Sequence, residues 1–183
     1  VRASLGVFTS SSETLAASFY TAAETLGAAL AAAGYRVVYG GGNNGLMGAL
    51  ARGVRDAGGG LIGVIPHPLR EAGYCFEEAD EIIETESLSD RKRIMSDRSD
   101  AFLCLPGGLG TLDETFSVLS ERQLAFHDKP IVFYNIDSFF EPVIRLLDLL
   151  TEGGFIPREQ AALFRVADNE KELLALLNGF FSA

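Results

Sequence analysis

Two glycine-rich turns constrain this chain more than any other feature of its sequence: GGGNNGLMG at residues 40–48 and PGGLGT at residues 106–111. Each turn follows a short apolar run, residues 37–39 or 101–105, and precedes a helical pattern. Glycine allows a positive φ and a close approach of the backbone to a ligand. The first N–H groups of a helix lack internal partners and lie at the positive end of its dipole. Both junctions are therefore predicted phosphate sites.

Apolar runs alternate with helical patterns along all 183 residues. The predicted strands are residues 5–9, 36–39, 61–65, 81–85, 101–105, 130–135 and 165–167. The predicted helices are residues 13–33, 45–57, 88–98, 111–126, 137–152, 158–163 and 169–180, whereas residues 66–78 are predicted to be irregular with at most one helical turn. This alternation indicates an α/β fold: a single-domain, Rossmann-like, doubly wound parallel sheet with helices on both faces. We expect one nucleotide-binding domain over residues 1–183.

The formal net charge of −10 limits the choice of partners. It argues against a nucleic-acid surface, and it requires any phosphate site to supply local donors and cations. No apolar run is long enough to cross a bilayer, and the apolar stretch at residues 1–5 is too short for a secretory signal. No membrane partner is therefore expected. Cys75 and Cys104 do not make a disulfide framework, which favours a cytoplasmic protein. His67 and His127 lack metal-ligand spacing, and neither a metal nor a cofactor is expected.

The individual motifs each have a purely structural explanation as well. Gly40, Gly42 and Gly45 satisfy G-x-G-x-x-G, but they follow the second strand, and a tight turn with close helix–sheet packing also explains them. Residues 111–114 fit the capping box, so Glu114 is either a helix cap or a site carboxylate that binds ribose or orients a water. Arg91 lies in the basic cluster of residues 91–93, which is either a solvated helix face or a clamp for phosphate.

Taken together, the turn at 40–48, the Arg91-Lys92 pair followed by Met95, and PGGLGTLDE at 106–114 resemble the Lonely Guy family. These proteins are cytokinin riboside 5′-monophosphate phosphoribohydrolases, often mislabelled lysine decarboxylases. The similarity runs from about residue 5 to residue 155. The resemblance implies hydrolysis of the N-glycosidic bond of a nucleoside 5′-monophosphate, such as AMP or a cytokinin nucleotide, to a free base and ribose 5-phosphate.

The resemblance also implies which residues act. Arg91 and Glu114 correspond to the catalytic pair of the family. The implied substrate-binding set is Ser11, Gly41, Gly42, Asn43, Gly45, Lys92, Gly108, Leu109, Gly110, Thr111, Leu112, Asp113 and Ser120. Family members form dimers or larger assemblies, so a homo-oligomer is expected.

Departures from the family pattern leave the preferred base of the substrate undetermined. Leu88-Ser89 stands where the family often has Met-His, at positions that are candidates for the base pocket. The alternative function is a non-catalytic nucleotide or molybdenum-cofactor carrier on the same fold. Lysine decarboxylation with pyridoxal phosphate is disfavoured, because only Lys92 lies near the predicted site to form a Schiff base.

Overall fold

A computed structural model describes residues 1–158 and 162–182. Its strands form one parallel sheet in the order β4-β3-β2-β1-β5-β6-β7. The strands are β1 (Ser4–Phe8), β2 (Arg36–Tyr39), β3 (Leu61–Pro66), β4 (Glu81–Thr85), β5 (Ala101–Cys104), β6 (Ile131–Tyr134) and β7 (Arg165–Ala167). Every pairing along this sheet is parallel, and the seven predicted strands are confirmed to within two residues at their ends.

Helices connect the strands on both faces of the sheet. They are α1 (Ala17–Ala32), α2 (Gly45–Asp56), α3 (His67–Glu71), α4 (Leu88–Asp97), α5 (Leu109–Gln123), α6 (Glu141–Glu152) and α7 (Glu170–Phe181). One apolar layer joins α1, α2 and α7 to the sheet, and another joins α4, α5 and α6. The predicted α/β doubly wound fold is therefore confirmed. No helix in the described ranges is long and apolar enough to cross a membrane.

Two predicted helix starts were wrong, and the predicted helix at 158–163 includes residues 159–161, which lie outside the described ranges. The α1 helix begins at Ala17 instead of residue 13, because the Ser10 and Ser12 side chains hold the preceding loop in a turn of its own. The α6 helix begins at Glu141 instead of residue 137, since Asp137 has φ 51° and breaks the helical path. The segment predicted as irregular with at most one helical turn contains α3, a helix of five residues, in agreement with that prediction.

The strand order places the reversal of the winding at β1. This strand pairs with β2 on one side and β5 on the other, so successive connections leave it in opposite directions. Ligands of open α/β sheets bind outside the carboxyl ends of the strands at such a point. The turns that follow β1, β2 and β5 meet there, and two of them are the glycine-rich turns.

Candidate active site

A cleft of about 540 Å³ opens at this reversal point. Its volume falls within the range of ligand-binding pockets in proteins. It is lined by Val7, Thr9, Ser10, Ser11, Ser12, Gly40, Gly42, Asn44, Met47, Ile65, Leu69, Tyr74, Arg91, Gly108, Leu109, Gly110, Thr111 and Glu114. Within residues 1–158 and 162–182, no cluster of three or more His, Cys, Asp or Glu side chains could hold a metal ion.

The amino end of α5 faces this cleft. Gly108 is the N-cap, and the first internal backbone bond is donated by the Leu112 N–H to the Gly108 carbonyl at 3.0 Å. The N–H groups of residues 109–111 therefore precede the first helical hydrogen bond and lie at the positive end of the dipole. Such an arrangement binds anions, phosphate in particular.

Packing within the protein requires one glycine of the second turn but not the other two. A Cβ on Gly107 would lie 2.0 Å from the Thr111 Oγ1, so packing within the protein demands glycine there. A Cβ on Gly108 or Gly110 would meet nothing within 4 Å, and neither residue has a positive φ. Intramolecular packing does not explain these two glycines, whereas a ligand lying against the backbone does.

Packing does explain most of the first glycine turn. A Cβ on Gly41 would come within 2.9 Å of the Ile65 Cβ, and one on Gly45 within 2.5 Å of the Ser11 backbone. Both glycines also have a positive φ. Gly42 lines the cleft, but its Cβ would press on the Met47 side chain at 2.8 Å. The first turn thus shapes the wall of the cleft through close packing.

Arg91 and Glu114 form a buried ion pair at the base of the cleft. The Arg91 Nη2 donates to the Glu114 Oε1, and the two side chains are 13% and 7% exposed. The other carboxylate oxygen of Glu114, Oε2, has no hydrogen-bond partner in the described part of the chain, but it is not fully buried. The Arg91 Nε, in contrast, is buried and has no hydrogen-bond partner among the described residues. The pair thus presents a carboxylate whose orientation is fixed by one oxygen.

Burial governs the protonation of Glu114. Desolvation raises the pKa of Glu114 above its usual value of 4.5, and the positive charge of Arg91 opposes that rise. A carboxyl group with a raised pKa in a cleft is a common feature of catalytic sites. The capping-box alternative was wrong: Gly108 caps α5, and Glu114 lies within the helix, where its side chain pairs with Arg91.

Arg91 is placed by α4. Ser87 caps this helix by accepting a hydrogen bond from the Asp90 N–H at 3.1 Å. Met95, four residues after Arg91, is fully buried against the sheet, so this face of α4 turns inward and is not solvated. The guanidinium passes over Gly40, where a Cβ would lie 3.5 Å from the Arg91 Nη1.

Several predicted site residues lie outside the lining of the cleft. Lys92 pairs with Asp113 at 2.9 Å and donates to the Ser117 Oγ at 3.1 Å, which ties α4 to α5. Ser120 is exposed farther along α5. The residues of the predicted set that do not line the cleft are Gly41, Asn43, Gly45, Lys92, Leu112, Asp113 and Ser120. Their roles in substrate binding stay predictions.

The cleft also contains residues that the sequence did not single out. Thr9, Ser10 and Ser12 follow β1, and Asn44 precedes α2. Leu69 and Tyr74 come from the segment predicted as irregular, where no motif marks them. Leu88 and Ser89, the predicted candidates for the base pocket, are absent from the residues that line the cleft.

Fold and site together define a Rossmann-like α/β protein whose cleft holds an arginine–glutamate ion pair beside the amino end of a helix. The family model described as "Possible lysine decarboxylase" matches residues 47–177. A cytokinin riboside 5′-monophosphate phosphoribohydrolase of Mycobacterium tuberculosis is 41% identical over 170 residues, covering 93% of this chain and 90% of that protein. The cytokinin riboside 5′-monophosphate phosphoribohydrolase LOG5 of Arabidopsis thaliana is 36% identical over 174 residues, covering 95% of this chain and 76% of that protein. The chain belongs to the Lonely Guy family, as its motifs predicted.

Solved structures agree on the fold. The molybdenum cofactor carrier protein of Chlamydomonas reinhardtii superposes with a TM-score of 0.74 at 23% identity, covering 99% of each chain. The molybdenum cofactor binding protein of Rippkaea orientalis gives 0.71 at 24% identity, covering 97% of this chain and 96% of that one. At these identities the likeness shows a shared architecture only.

Proposed function

We propose that this protein hydrolyses the N-glycosidic bond of a nucleoside 5′-monophosphate, releasing a free base and ribose 5-phosphate. The observation that carries the proposal is the buried Arg91–Glu114 pair, placed one turn inside a helix whose amino end faces the same cleft. Membership of the family supports the same reaction, because its relatives are named for it.

In the proposed mechanism the phosphate binds at the amino end of α5, against Gly108 and Gly110. This contact places the ribose over Glu114, so that binding energy remote from the reacting bond positions that bond. Cleavage passes through an oxocarbenium-like ribose, whose positive charge the Glu114 carboxylate stabilises. The C1′–N bond breaks, a water oxygen bonds to C1′, and the departing base gains a proton. Arg91 holds the carboxylate ionised and in place.

Product analysis tests this proposal. Purified protein is incubated with AMP, and the products are separated by chromatography. We expect adenine and ribose 5-phosphate in equal amounts. Tight AMP binding without any adenine would contradict the enzyme and favour a nucleotide carrier on the same fold. Adenosine and inorganic phosphate would instead indicate a phosphatase.

Decarboxylation with pyridoxal phosphate has little support in this cleft. No lysine is among the described residues that line it, and Lys92 is held by Asp113 and Ser117. A Schiff-base enzyme needs a lysine amine that reaches the cofactor. Protein mixed with pyridoxal phosphate is therefore expected to show no internal aldimine band.

Alanine substitutions in the second glycine turn separate ligand binding from folding. Because Gly108 and Gly110 face open space, Gly108→Ala and Gly110→Ala are expected to fold normally and to weaken AMP binding by about tenfold or more, equivalent to about 1.4 kcal/mol. Gly107→Ala is the contrasting variant: its Cβ would lie 2.0 Å from Thr111, so a lower unfolding temperature is expected. Calorimetric titration and thermal unfolding measure both effects. Unchanged AMP affinity in the first two variants would contradict a phosphate site at this turn.

The pH dependence of kcat/KM reports on Glu114. The proposed mechanism needs the ionised carboxylate, and burial raises the pKa of Glu114 above its usual value of 4.5. As the pH falls through this raised pKa the carboxylate gains a proton, so activity is lost at a higher pH than an exposed glutamate would give. A rate profile between pH 4 and pH 8 measures the midpoint. A profile that stays flat down to pH 4.5 would contradict the role of Glu114.

We further propose a homo-oligomer and a cytoplasmic location. Leu88 and Leu109 begin α4 and α5 with 57% and 87% of their surfaces exposed, and exposed leucines at two helix starts suit a covering subunit. Mass measurement by light scattering tests assembly. The two cysteines are reduced and buried, which suits a reducing compartment. Fractionation of the source cells tests location.

A further inference from the structure

Lys92 and Asp113 form a second ion pair directly beside the Arg91–Glu114 pair. Lys92 follows Arg91 on α4, and Asp113 precedes Glu114 on α5, so consecutive residues of one helix pair with consecutive residues of the other. The Lys92 Nζ lies 3.0 Å from the Asp113 Oδ1 and 2.9 Å from the Asp113 Oδ2. Both pairs join α4 to α5, and the pair outside the cleft adjoins the pair that lines it.

The hydrogen bonds of the Lys92 ammonium group account for all of its donors. Besides both oxygens of the Asp113 carboxylate, its Nζ contacts the Ser117 Oγ at 3.1 Å. A lysine ammonium group has three N–H donors, and these three acceptors match them in number. The Ser117 hydroxyl in turn donates to the Asp113 carbonyl at 2.7 Å. Lys92 is therefore engaged within the protein before a ligand arrives, although the family resemblance implied a contact with substrate.

The two helices joined by these bonds belong to the same apolar layer. Met95 of α4 and Val118 of α5 are both buried in it. Packed helices can slide past one another by small amounts. The Lys92–Asp113 pair adds directional contacts across this interface, next to the ion pair of the cleft. A displacement of about 1 Å at a reacting group can lower a rate by about 10²-fold, so a contact that holds the two helices in register has a large effect on turnover.

Lys92 and Asp113 also act in opposite directions on the protonation of Glu114. Burial is the main cause of the raised pKa of Glu114, and the positive charge of Arg91 opposes it. Asp113 raises the same pKa further, whereas Lys92 lowers it. Cys104 of β5 also lies near Glu114, but burial raises the pKa of its thiol to about 12, so the thiol is neutral at physiological pH. Loss of Lys92 would leave two neighbouring carboxylates with one cation fewer.

We propose that Lys92 and Asp113 are positioning residues, which hold α4 against α5 so that the Arg91 guanidinium stays on the Glu114 carboxylate. They act on the reaction through that pair and do not contact the substrate. This role differs from the substrate binding that the family resemblance implied, and it rests on the proposed hydrolase function. The Lys92–Asp113 pair is partly exposed, and such pairs contribute little to stability, so the expected effect is on turnover and not on folding.

Lys92→Ala and Asp113→Asn are each expected to lower kcat with AMP by about tenfold to a hundredfold and to leave the AMP dissociation constant unchanged. Asp113→Glu keeps a carboxylate for the ammonium group and should keep most of the turnover. Arg93→Ala and Asp97→Asn are the matched controls, because they break an exposed ion pair that lies within α4 and does not reach α5. Steady-state kinetics, calorimetric titration and thermal unfolding measure turnover, binding and folding separately.

Double variants show whether Lys92 acts through the ion pair of the cleft. In the Glu114→Gln background the carboxylate that the pair holds in place is absent, so adding Lys92→Ala is expected to lower kcat little further. The double variant Lys92→Ala/Asp113→Asn should likewise be about as slow as either single variant. Losses that multiply in both combinations would indicate independent roles and overturn the proposal.

The protonation of Glu114 gives a readout that does not depend on turnover. Carbon NMR of protein labelled at the glutamate carboxyl carbons follows its titration, and the Glu114 signal is identified by its loss in Glu114→Gln. The pKa of Glu114 is expected to rise in Lys92→Ala, because Lys92 lowers this pKa and holds Arg91 close to the carboxylate. It should stay unchanged in Arg93→Ala.

The outcomes separate this inference from the hydrolase function. AMP binding that is weakened about tenfold or more by Lys92→Ala but not by Asp113→Asn would make Lys92 a ligand contact and overturn the positioning role. Unchanged kcat in both variants, with adenine released by the wild type, would also overturn it and leave the hydrolase intact. If the wild type releases no adenine, the hydrolase fails. The NMR titration then decides: a raised pKa of Glu114 in Lys92→Ala supports the coupling of the two ion pairs, and an unchanged pKa overturns it.

Discussion

Replacing Glu114 by glutamine is expected to lower kcat by about 10²–10⁴-fold, the range attributed to a well-placed acid–base or charged group. The amide has the size of the carboxyl group and retains an oxygen that accepts from the Arg91 Nη2. It lacks the negative charge that stabilises the developing ribose cation. AMP binding is expected to change little, because the phosphate contacts at the amino end of α5 are untouched.

The matched control is Glu121→Gln. Glu121 lies seven residues farther along α5, on the same side of the helix and outside the cleft. Steady-state kinetics with AMP compare the two variants, and thermal unfolding establishes that both fold. Turnover by Glu114→Gln within a few-fold of wild type would remove Glu114 from the mechanism.

Replacing Arg91 by alanine is expected to impair both activity and stability. Removing one member of a buried ion pair leaves a buried charge without its partner and costs about 3–5 kcal/mol. The Arg91 charge also holds down the pKa of Glu114, so in this variant that pKa rises further. The acid limb of kcat/KM is therefore expected to move to higher pH, and turnover at neutral pH falls.

The stability of Arg91→Ala should depend on pH in a defined direction. A carboxyl group whose pKa is raised by folding binds its proton more tightly in the folded state, so folding is favoured as the pH falls through that pKa. The decrease in the unfolding temperature of Arg91→Ala relative to wild type is thus expected to be larger at pH 8 than at pH 5. Arg93→Ala serves as control, because Arg93 is on the exposed side of α4 and its surface ion pairs contribute little. An equal loss at both pH values would contradict the coupling of Arg91 to Glu114.

The alternation of apolar runs with helical patterns predicted most of the fold because the central strands are short, largely apolar and buried. The runs at 61–65 and 101–105 became β3 and β5, every residue of which is buried. Ser87 and Asn169 cap α4 and α7 as hydrogen-bond acceptors, and serine and asparagine are residue types preferred at that position. Such local signals need no knowledge of distant contacts.

The features of the site that the local residue patterns left open or missed depend on contacts between distant parts of the chain. Glu114 matches a capping box, and only the approach of Arg91 from α4 shows that its carboxylate belongs to an ion pair. Leu69 and Tyr74 lie in a segment that is ordered by the glycine turn and by β4, which leaves no periodic trace in the sequence. The glycine turns look alike as sequences, but only the space around each Cα separates glycines required by packing from those that face open space.

A crystal structure of the Glu114→Gln variant with AMP would test the central claim, that the cleft holds a nucleotide with its glycosidic bond at the Arg91–Glu114 pair. We predict the phosphate within hydrogen-bond distance of the N–H groups of Gly110 and Thr111, and C1′ beside position 114. A nucleotide bound in the opposite direction, with its base at the amino end of α5, or bound outside this cleft, would contradict it.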